Sequence, residues 1–260
     1  MKNHFIITVL FVIFFASTVI GQDNKEIFKW QIGEELTYKV SWGFIRLGTL
    51  QLSILDTVQI DGMKAYHTRL SIDSNPWLFF VNMHSTFNSY LLENSYPLLL
   101  ICEEEIDNEE YHSRYEFDYE NSEIIVHHEG IENPDKTIDK SLPLNKKLQD
   151  GMSIIYYARA NCYREKSEHL VVFYAAQEGT LEIKFSSQTE SIEVSFTDGN
   201  MSAYYINGEA HFKAIAGFGG NYEGWFSLDE QRVPLAARME VFVGSVYLEL
   251  EEYRNWHPDY

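Results

Sequence analysis

Residues Gln149–Arg164 read QDGMSIIYYARANCYR, and this stretch decides the fold because it carries the clearest helical pattern in the chain. Asp150 can accept hydrogen bonds at the start of a helix. Large side chains then recur at helical spacing: Met152, Ile155, Tyr156 and Arg159. Arg159 and Arg164 stand where the C-terminal end of a helix favours positive charge. The stretch therefore predicts one main helix near residues 150–162, and we expect Ile155 and Tyr156 to be buried.

Strand-like alternation fills most of the remaining chain, on both sides of this helix. Before the helix, apolar Leu36, Tyr38 and Val40 alternate with polar residues. After the helix, Leu181, Ile183 and Phe185 repeat the pattern, as do Val246, Leu248 and Leu250. No fixed-period repeat is visible, which argues against a propeller or a solenoid. The sequence predicts an all-β fold, a large curved, partly closed antiparallel sheet or open barrel of about a dozen strands.

Three dipeptides typical of tight turns divide the predicted strands: Asp61-Gly62, Asp198-Gly199 and Asn207-Gly208. A glycine-rich segment, GFGGNYEGW from Gly217 to Trp225, predicts a further loop. Gly217–Gly220 lacks the strand-to-helix context and the following Lys-Ser or Lys-Thr of a phosphate-binding loop, so a turn is the better interpretation.

The N-terminal residues 1–21 have the pattern of a secretory signal peptide. Lys2 gives a basic start, Phe5–Ala16 is apolar apart from Thr8, and small residues follow up to Gly21. The apolar run is shorter than the roughly 20 residues that span a bilayer. We expect cleavage before Gln22, a periplasmic or secreted location, a mature chain that does not span a membrane, and a single β-rich domain over residues 22–260.

The net charge of the chain limits the classes of molecule that it is expected to bind. The chain has a formal net charge of −19 at pH 7. Such a charge argues against nucleic acid and against an anionic membrane surface as partners. It is also common in secreted proteins without a specific meaning.

Two cysteines, Cys102 and Cys162, are compatible with one disulfide in an exported protein. Two buried, unpaired thiols are an equally good interpretation, since spacing alone does not place their Cα atoms within bonding reach.

The segment Ser74–Val81, SNPWLFFV, interrupts the strand pattern with a run of apolar residues. Loops that face solvent rarely have this composition. Either the segment plugs one end of the core, or it forms a lid over an apolar cavity. The second interpretation makes Trp77, Phe79 and Phe80 the candidate ligand-binding residues.

Motifs for catalysis or for a cofactor are not found, and we predict no catalytic residue, no cofactor and no metal site. His127-His128-Glu129 is the densest group of metal-binding residue types, but only two of the three share a face of a strand. No serine stands in a G-x-S-x-G motif. The acidic run from Glu103 to Glu110 lacks the spacing of a calcium loop.

Three short segments resemble the DUF3108 family of bacterial exported proteins of unknown function. They are IGEELTYKVSWGFIRLGTL at residues 32–50, LQDGMSIIYYAR at 148–159, and GWFSLDEQRVPLAARMEVFVGSVYLELEEY at 224–253. The resemblance covers most of the mature chain and implies a β-rich periplasmic or envelope protein. It brings no catalytic or binding residue with it.

Three functional hypotheses follow from these patterns. The first is an envelope protein without enzymatic activity that holds an apolar or amphipathic small molecule inside the curved sheet, because large barrels need a filling. The second is a structural or interaction module that binds an envelope protein partner. The third is an envelope hydrolase that uses acids such as Glu223 and Asp229 near the glycine-rich loop.

Overall fold

The computed structural model describes residues 28–78, 82–106, 109–131, 135, 137–197, 199–212, 219–241 and 244–258. Its strands belong to one sheet of fifteen strands, β1–β15, and one helix, α1, interrupts them. The predicted signal peptide and its cleavage point at Gln22 lie outside the described residues. The prediction of an all-β fold with one main helix is confirmed, with fifteen strands instead of about a dozen.

The first half of the chain is a meander, in which each strand pairs antiparallel with the next. Its strands are β1 Glu35–Trp42, β2 Ile45–Ile60, β3 Met63–Ser74, β4 Met83–Leu91, β5 Pro97–Ile106, β6 Glu109–Asp118, β7 Glu123–Gly130 and β8 Ile138–Pro143.

The second half begins with a two-residue strand and the helix, and then forms a second antiparallel meander. Its elements are β9 Gln149–Asp150, α1 Ser153–Asn161, β10 Lys166–Tyr174, β11 Gln177–Glu193, β12 Asn200–Ala210, β13 Gly220–Phe226, β14 Pro234–Glu240 and β15 Ser245–Arg254.

The two meanders are joined by pairing between the first and the last strand of the chain. The first strand, β1, pairs antiparallel with the last, β15, so the sheet runs without interruption from β8 through β1 and β15 to β9. The edges are β8 and β9, and β9 pairs parallel to β10 through only two residue pairs. The sheet is therefore a partly closed barrel whose two edge strands do not pair with each other.

The period-two pattern determines which side chains enter the interior. In β1, Leu36 and Tyr38 are buried, whereas Thr37 and Lys39, which alternate with them, are partly exposed. The same alternation holds in β4 and β6, where Phe87 and Tyr115 point into the core. Burial of large apolar side chains at about 1.5–3 kcal/mol each is the main stabilising contribution to such a sheet.

The predicted turn at Asn207-Gly208 is wrong, because both residues lie inside strand β12. A Cβ atom on Gly208 would lie 1.9 Å from the carbonyl oxygen of Glu182 and 2.7 Å from the hydroxyl of Tyr222. That hydroxyl crosses β12 and donates a hydrogen bond of 2.9 Å to the Glu182 carbonyl. Glycine at this position does not mark a turn. It allows groups of the two neighbouring strands to approach the backbone of β12 closely.

Candidate ligand-binding cavity

Asp150 organises the entry into helix α1. Its carboxylate accepts hydrogen bonds from the backbone N–H groups of Met152 (2.8 Å) and Ser153 (2.5 Å), and from the hydroxyl of Ser89 on β4 (2.7 Å). The prediction that Asp150 is the N-cap residue is wrong, because the helix begins at Ser153 and its N-cap is Met152. Asp150 nevertheless accepts backbone N–H groups at the start of the helix. Asp150 is fully buried, and this burial raises the pKa of its carboxyl group.

Arg159 faces the interior, which corrects the expectation that it serves mainly as a positive charge at the helix end. Its guanidinium donates to both carboxylate oxygens of Glu34, at 2.7 and 2.8 Å, and to the carbonyl oxygen of Gln231. Burial alone would lower the pKa of Arg159, but the Glu34 carboxylate raises it. Because Arg159 lies on the same face as the buried Met152 and Tyr156, it enters the core and requires a buried partner.

An aromatic stack closes one end of the barrel interior around this ion pair. The indole of Trp30 lies between the rings of Tyr66 and Tyr156, at centroid distances of 4.3 and 5.0 Å and nearly parallel to both. Phe28 packs edge-on against Trp30 at 5.0 Å, and the Arg159 guanidinium lies over the Phe28 ring. We call this the closed end of the barrel.

A cavity of about 460 Å³ lies between helix α1 and the wall of the barrel. Ile154, Ile155 and Ala158 form its helical side. Apolar side chains from strands of both meanders form the wall, among them Val40, Leu50, Ile72, Ile183, Ile206 and Leu248. The volume is in the range of small-molecule sites, and a lining of this kind favours apolar ligands.

Small residues in the wall help to leave this space empty. Ala237 of β14 lies opposite Gly224 of β13, and both residues line the cavity. Glycine has no side chain and alanine has only a methyl group, so neither residue fills the space that it borders. Ile155 is only partly buried because it faces this cavity, whereas Tyr156 is fully buried.

The cavity extends to the end of the barrel opposite the closed end. Leu47, Ser74, Met83 and Met239 lie at this end and line it, and we call the opening that they border the mouth. The turn between β1 and β2 and the connection between β3 and β4 both lie at the mouth.

Of the predicted ligand-binding residues, only Trp77 is described, and Phe79 and Phe80 lie outside the described residues. Trp77 stands in the connection between Ser74 and Met83, so it is beside the mouth. Its side chain is 89% exposed and does not fill the core. Trp77 is not among the residues that line the cavity, and the sequence did not identify those residues.

The lining residues that sequence reasoning missed are Ile154 and Ala158 on the helix and the small wall residues Gly224 and Ala237. The strand alternation indicates which residues face inward, but it cannot show where facing side chains fail to meet. A signal was present in the small residues at inward positions of neighbouring strands.

Cys102 and Cys162 are both buried in the structure, and both are free thiols. Cys102 belongs to the larger apolar core, and Cys162 belongs to a second cluster with Ala158 and Phe185. Burial raises the pKa of the Cys102 thiol well above its ordinary value and that of Cys162 to about 12. Both thiols are therefore poor nucleophiles at neutral pH.

The two acids of the hydrolase hypothesis do not converge. Glu223 lines the cavity, accepts a hydrogen bond of 2.8 Å from the hydroxyl of Tyr205 and pairs with Arg238. Asp229 lies in the connection after β13, where it accepts the indole N–H of Trp256 at 2.9 Å. The part of the chain that the structure describes contains no group of three metal-ligating side chains.

The family comparison agrees with this architecture. The model of the DUF3108 family, described as a protein of unknown function, matches residues 37–251. The chain belongs to the DUF3108 family. A comparison with the curated proteins finds no match. Within its described residues, this DUF3108 protein has no helix that is long and apolar enough to cross a membrane.

A solved structure shares the fold of this DUF3108 protein at low sequence identity. A β-barrel-like protein with the domain of unknown function DUF1849 from Brucella abortus has 9% identity, and the match covers 86% of this chain and 97% of that chain with a TM-score of 0.55.

Two further structures match with TM-scores of 0.38. One is a protein provisionally described as exported, with a YmcC-like fold, from Bacteroides fragilis, at 8% identity with 88% of this chain and 98% of that chain covered. The other is a protein provisionally described as a lipoprotein, from Parabacteroides distasonis, at 11% identity with the same coverage.

Proposed function

We propose that this DUF3108 protein is exported and that it holds an apolar or amphipathic small molecule, such as a long-chain fatty acid, in the cavity beside helix α1. The observation that carries the proposal is the apolar cavity of about 460 Å³ that extends to the mouth. Export is supported by the signal-peptide pattern of residues 1–21.

The chemistry of the lining favours an alkyl chain over a polar ligand. Ile154, Ile155 and Leu248 offer only hydrocarbon surface to the cavity. Transfer of an apolar group from water into such a site is favourable by about 0.8 kcal/mol per buried CH₂. The polar group of an amphipathic ligand would remain at the mouth, where the chain meets water.

The closed end of the barrel also supports the proposal, because its contacts hold helix α1 beside the cavity. The Arg159–Glu34 ion pair and the stack around Trp30 fix helix α1 at one end of the barrel, so we expect the helical side of the cavity to be formed before a ligand binds. A preformed site avoids the ordering cost that a flexible site meets on binding.

Equilibrium titration with a fluorescent fatty acid tests the proposal. The wild-type chain should bind the probe with a Kd of tens of micromolar or tighter, about −6 kcal/mol or more favourable. Val40→Trp and Ala237→Trp should each weaken binding, because the indole would occupy the cavity that these residues line.

Ser41→Trp is the matched control, since Ser41 follows Val40 on β1 but is not among the residues that line the cavity. It should leave probe binding unchanged. Absence of binding to the folded wild-type protein, or equal loss of binding in Val40→Trp and Ser41→Trp, would contradict the proposal.

A further inference from the structure

Two exposed aromatic side chains stand at the mouth of the cavity. Phe44, in the turn between β1 and β2, is 99% exposed, and Trp77, in the connection between β3 and β4, is 89% exposed. Among the described residues, these are the two most exposed large apolar side chains. Leaving them in water forfeits the favourable free energy that their burial would give.

Hydrogen bonds hold the two aromatic connections side by side. The backbone N–H of Asn75 donates to the carbonyl oxygen of Leu47 at 2.7 Å, and its side-chain amide donates to the carbonyl oxygen of Arg46 at 3.0 Å. The Asn75 side chain also accepts the backbone N–H of Trp77 at 3.1 Å. Trp77 and Phe44 therefore stand on two neighbouring connections at the mouth, and we call this pair of side chains the aromatic rim.

Charges near the aromatic rim indicate what kind of surface it fits. Arg46 makes a bidentate ion pair with Glu251, at 2.8 and 3.0 Å, and Arg238 is paired with Glu223. With these cations neutralised and a formal net charge of −19, the protein would be repelled by an anionic surface. Tryptophan and phenylalanine favour the boundary between lipid head groups and acyl chains without requiring anionic lipid.

We infer that the aromatic rim, Phe44 and Trp77, docks the mouth of the cavity on a neutral or zwitterionic lipid surface, from which the ligand enters. The inference rests on the function proposed above. An alkyl chain that crosses water between the membrane and the cavity loses the favourable free energy of burial for each of its CH₂ groups. Contact between the mouth and the lipid surface removes that barrier, because the chain passes from one apolar phase directly into another.

Vesicle binding tests the aromatic rim. The full mature chain, from Gln22, should co-sediment with phosphatidylcholine vesicles, and Phe44→Ser/Trp77→Ser should reduce the bound fraction about tenfold or more. The double variant Ile32→Ser/Leu228→Ser is the matched control, because these side chains are 42% and 44% exposed at the closed end. It should bind vesicles as the wild type does.

Fluorescence locates the contact independently of sedimentation. The difference spectrum between the wild type and Trp77→Phe reports on Trp77 alone, and it should shift to shorter wavelength when vesicles are added. Increasing the share of phosphatidylglycerol should weaken binding, since the protein is acidic. Binding that requires phosphatidylglycerol, or equal loss in both double variants, would overturn the inference.

Two controls separate this inference from the proposed function. Phe44→Ser/Trp77→Ser should still bind a short-chain fluorescent fatty acid that is monomeric in water, because the cavity is intact. Failure of the wild type to bind that probe contradicts the proposed function, whereas probe binding without vesicle binding overturns only the docking. Self-association of the wild type in sedimentation velocity that the rim variant abolishes would instead assign the aromatic rim to a second copy of the chain.

Discussion

The guanidinium of Arg159 and the carboxylate of Glu34 form a bidentate ion pair in which neither side chain is exposed to solvent. Arg159 belongs to helix α1, and Glu34 immediately precedes β1, 125 residues earlier in the chain. Gln231, from the connection between β13 and β14, accepts from Arg159 and donates to Glu34. One polar network therefore fastens the helix to both meanders.

Removing one member of this network should destabilise the protein strongly. Arg159→Met leaves the Glu34 carboxylate buried without its cation, which typically costs about 3–5 kcal/mol in the free energy of unfolding. Arg46→Met breaks the exposed bidentate pair with Glu251 and should cost at most about 1 kcal/mol. Urea unfolding of both variants measures the difference. A loss below 1 kcal/mol for Arg159→Met would mean that the helix is not anchored by this pair.

Asp150 should make stability depend on pH in a direction opposite to that of an ordinary ion-paired carboxylate. Its pKa is raised in the folded state by burial, so its contribution to stability is full below the unfolded pKa of about 3.9 and is lost as pH rises through the folded pKa. The advantage of the wild type over Asp150→Asn in unfolding free energy should therefore fall from pH 4 upward. An advantage that grows with pH in this window would show that the hydrogen bonds outweigh burial.

Gly208 should tolerate no side chain. Gly208→Ala would place a Cβ atom 1.9 Å from the backbone oxygen of Glu182, and backbone shifts of this kind cost about 1–3 kcal/mol or more. Gly199→Ala is the control, because a Cβ atom there meets nothing within 4 Å. Thermal unfolding should show a clear fall in Tm for Gly208→Ala alone, and equal Tm values would contradict the close approach of β11 and β12.

Ile155 should matter more for the ligand than for the fold. Because it faces the cavity and is partly exposed there, Ile155→Ala should cost less than the roughly 2–5 kcal/mol expected for a fully buried isoleucine such as Ile54. The substitution should also enlarge the cavity and shift probe preference towards longer chains. Chemical denaturation of Ile155→Ala and Ile54→Ala, followed by titration of each with probes of increasing length, checks both expectations. Losses of equal size would place Ile155 in the closed core.

The sequence predicts the architecture well because strands and helices leave local patterns. The alternation in Leu36, Tyr38 and Val40 identified β1, and the spacing of Met152 and Tyr156 identified the buried face of the helix. The prediction at Asn207-Gly208 failed because a glycine that permits close packing looks like a glycine that makes a turn. The close approach of the Glu182 carbonyl oxygen and the Tyr222 hydroxyl, both from neighbouring strands, distinguishes the two cases.

The candidate site was harder to predict from the sequence, because a cavity is the space that side chains leave unfilled. Trp77 lies beside the mouth, but the cavity lies between helix α1 and a wall that includes Gly224 and Ala237. The Arg159–Glu34 pair joins residues 125 positions apart, and no local rule relates them. Such pairings follow from the sheet order, in which the first and last strands meet, and a single sequence does not reveal that order.

The most direct measurement of the central claim is a crystal structure of the protein with a fatty acid that carries bromine near the end of its chain. We predict an anomalous peak inside the barrel, between Ile155 of the helix and Leu248 of β15, with the carboxylate towards the mouth. A bromine peak only outside the barrel, with the space between these two residues empty, would contradict the proposal that this DUF3108 protein holds its ligand in the cavity.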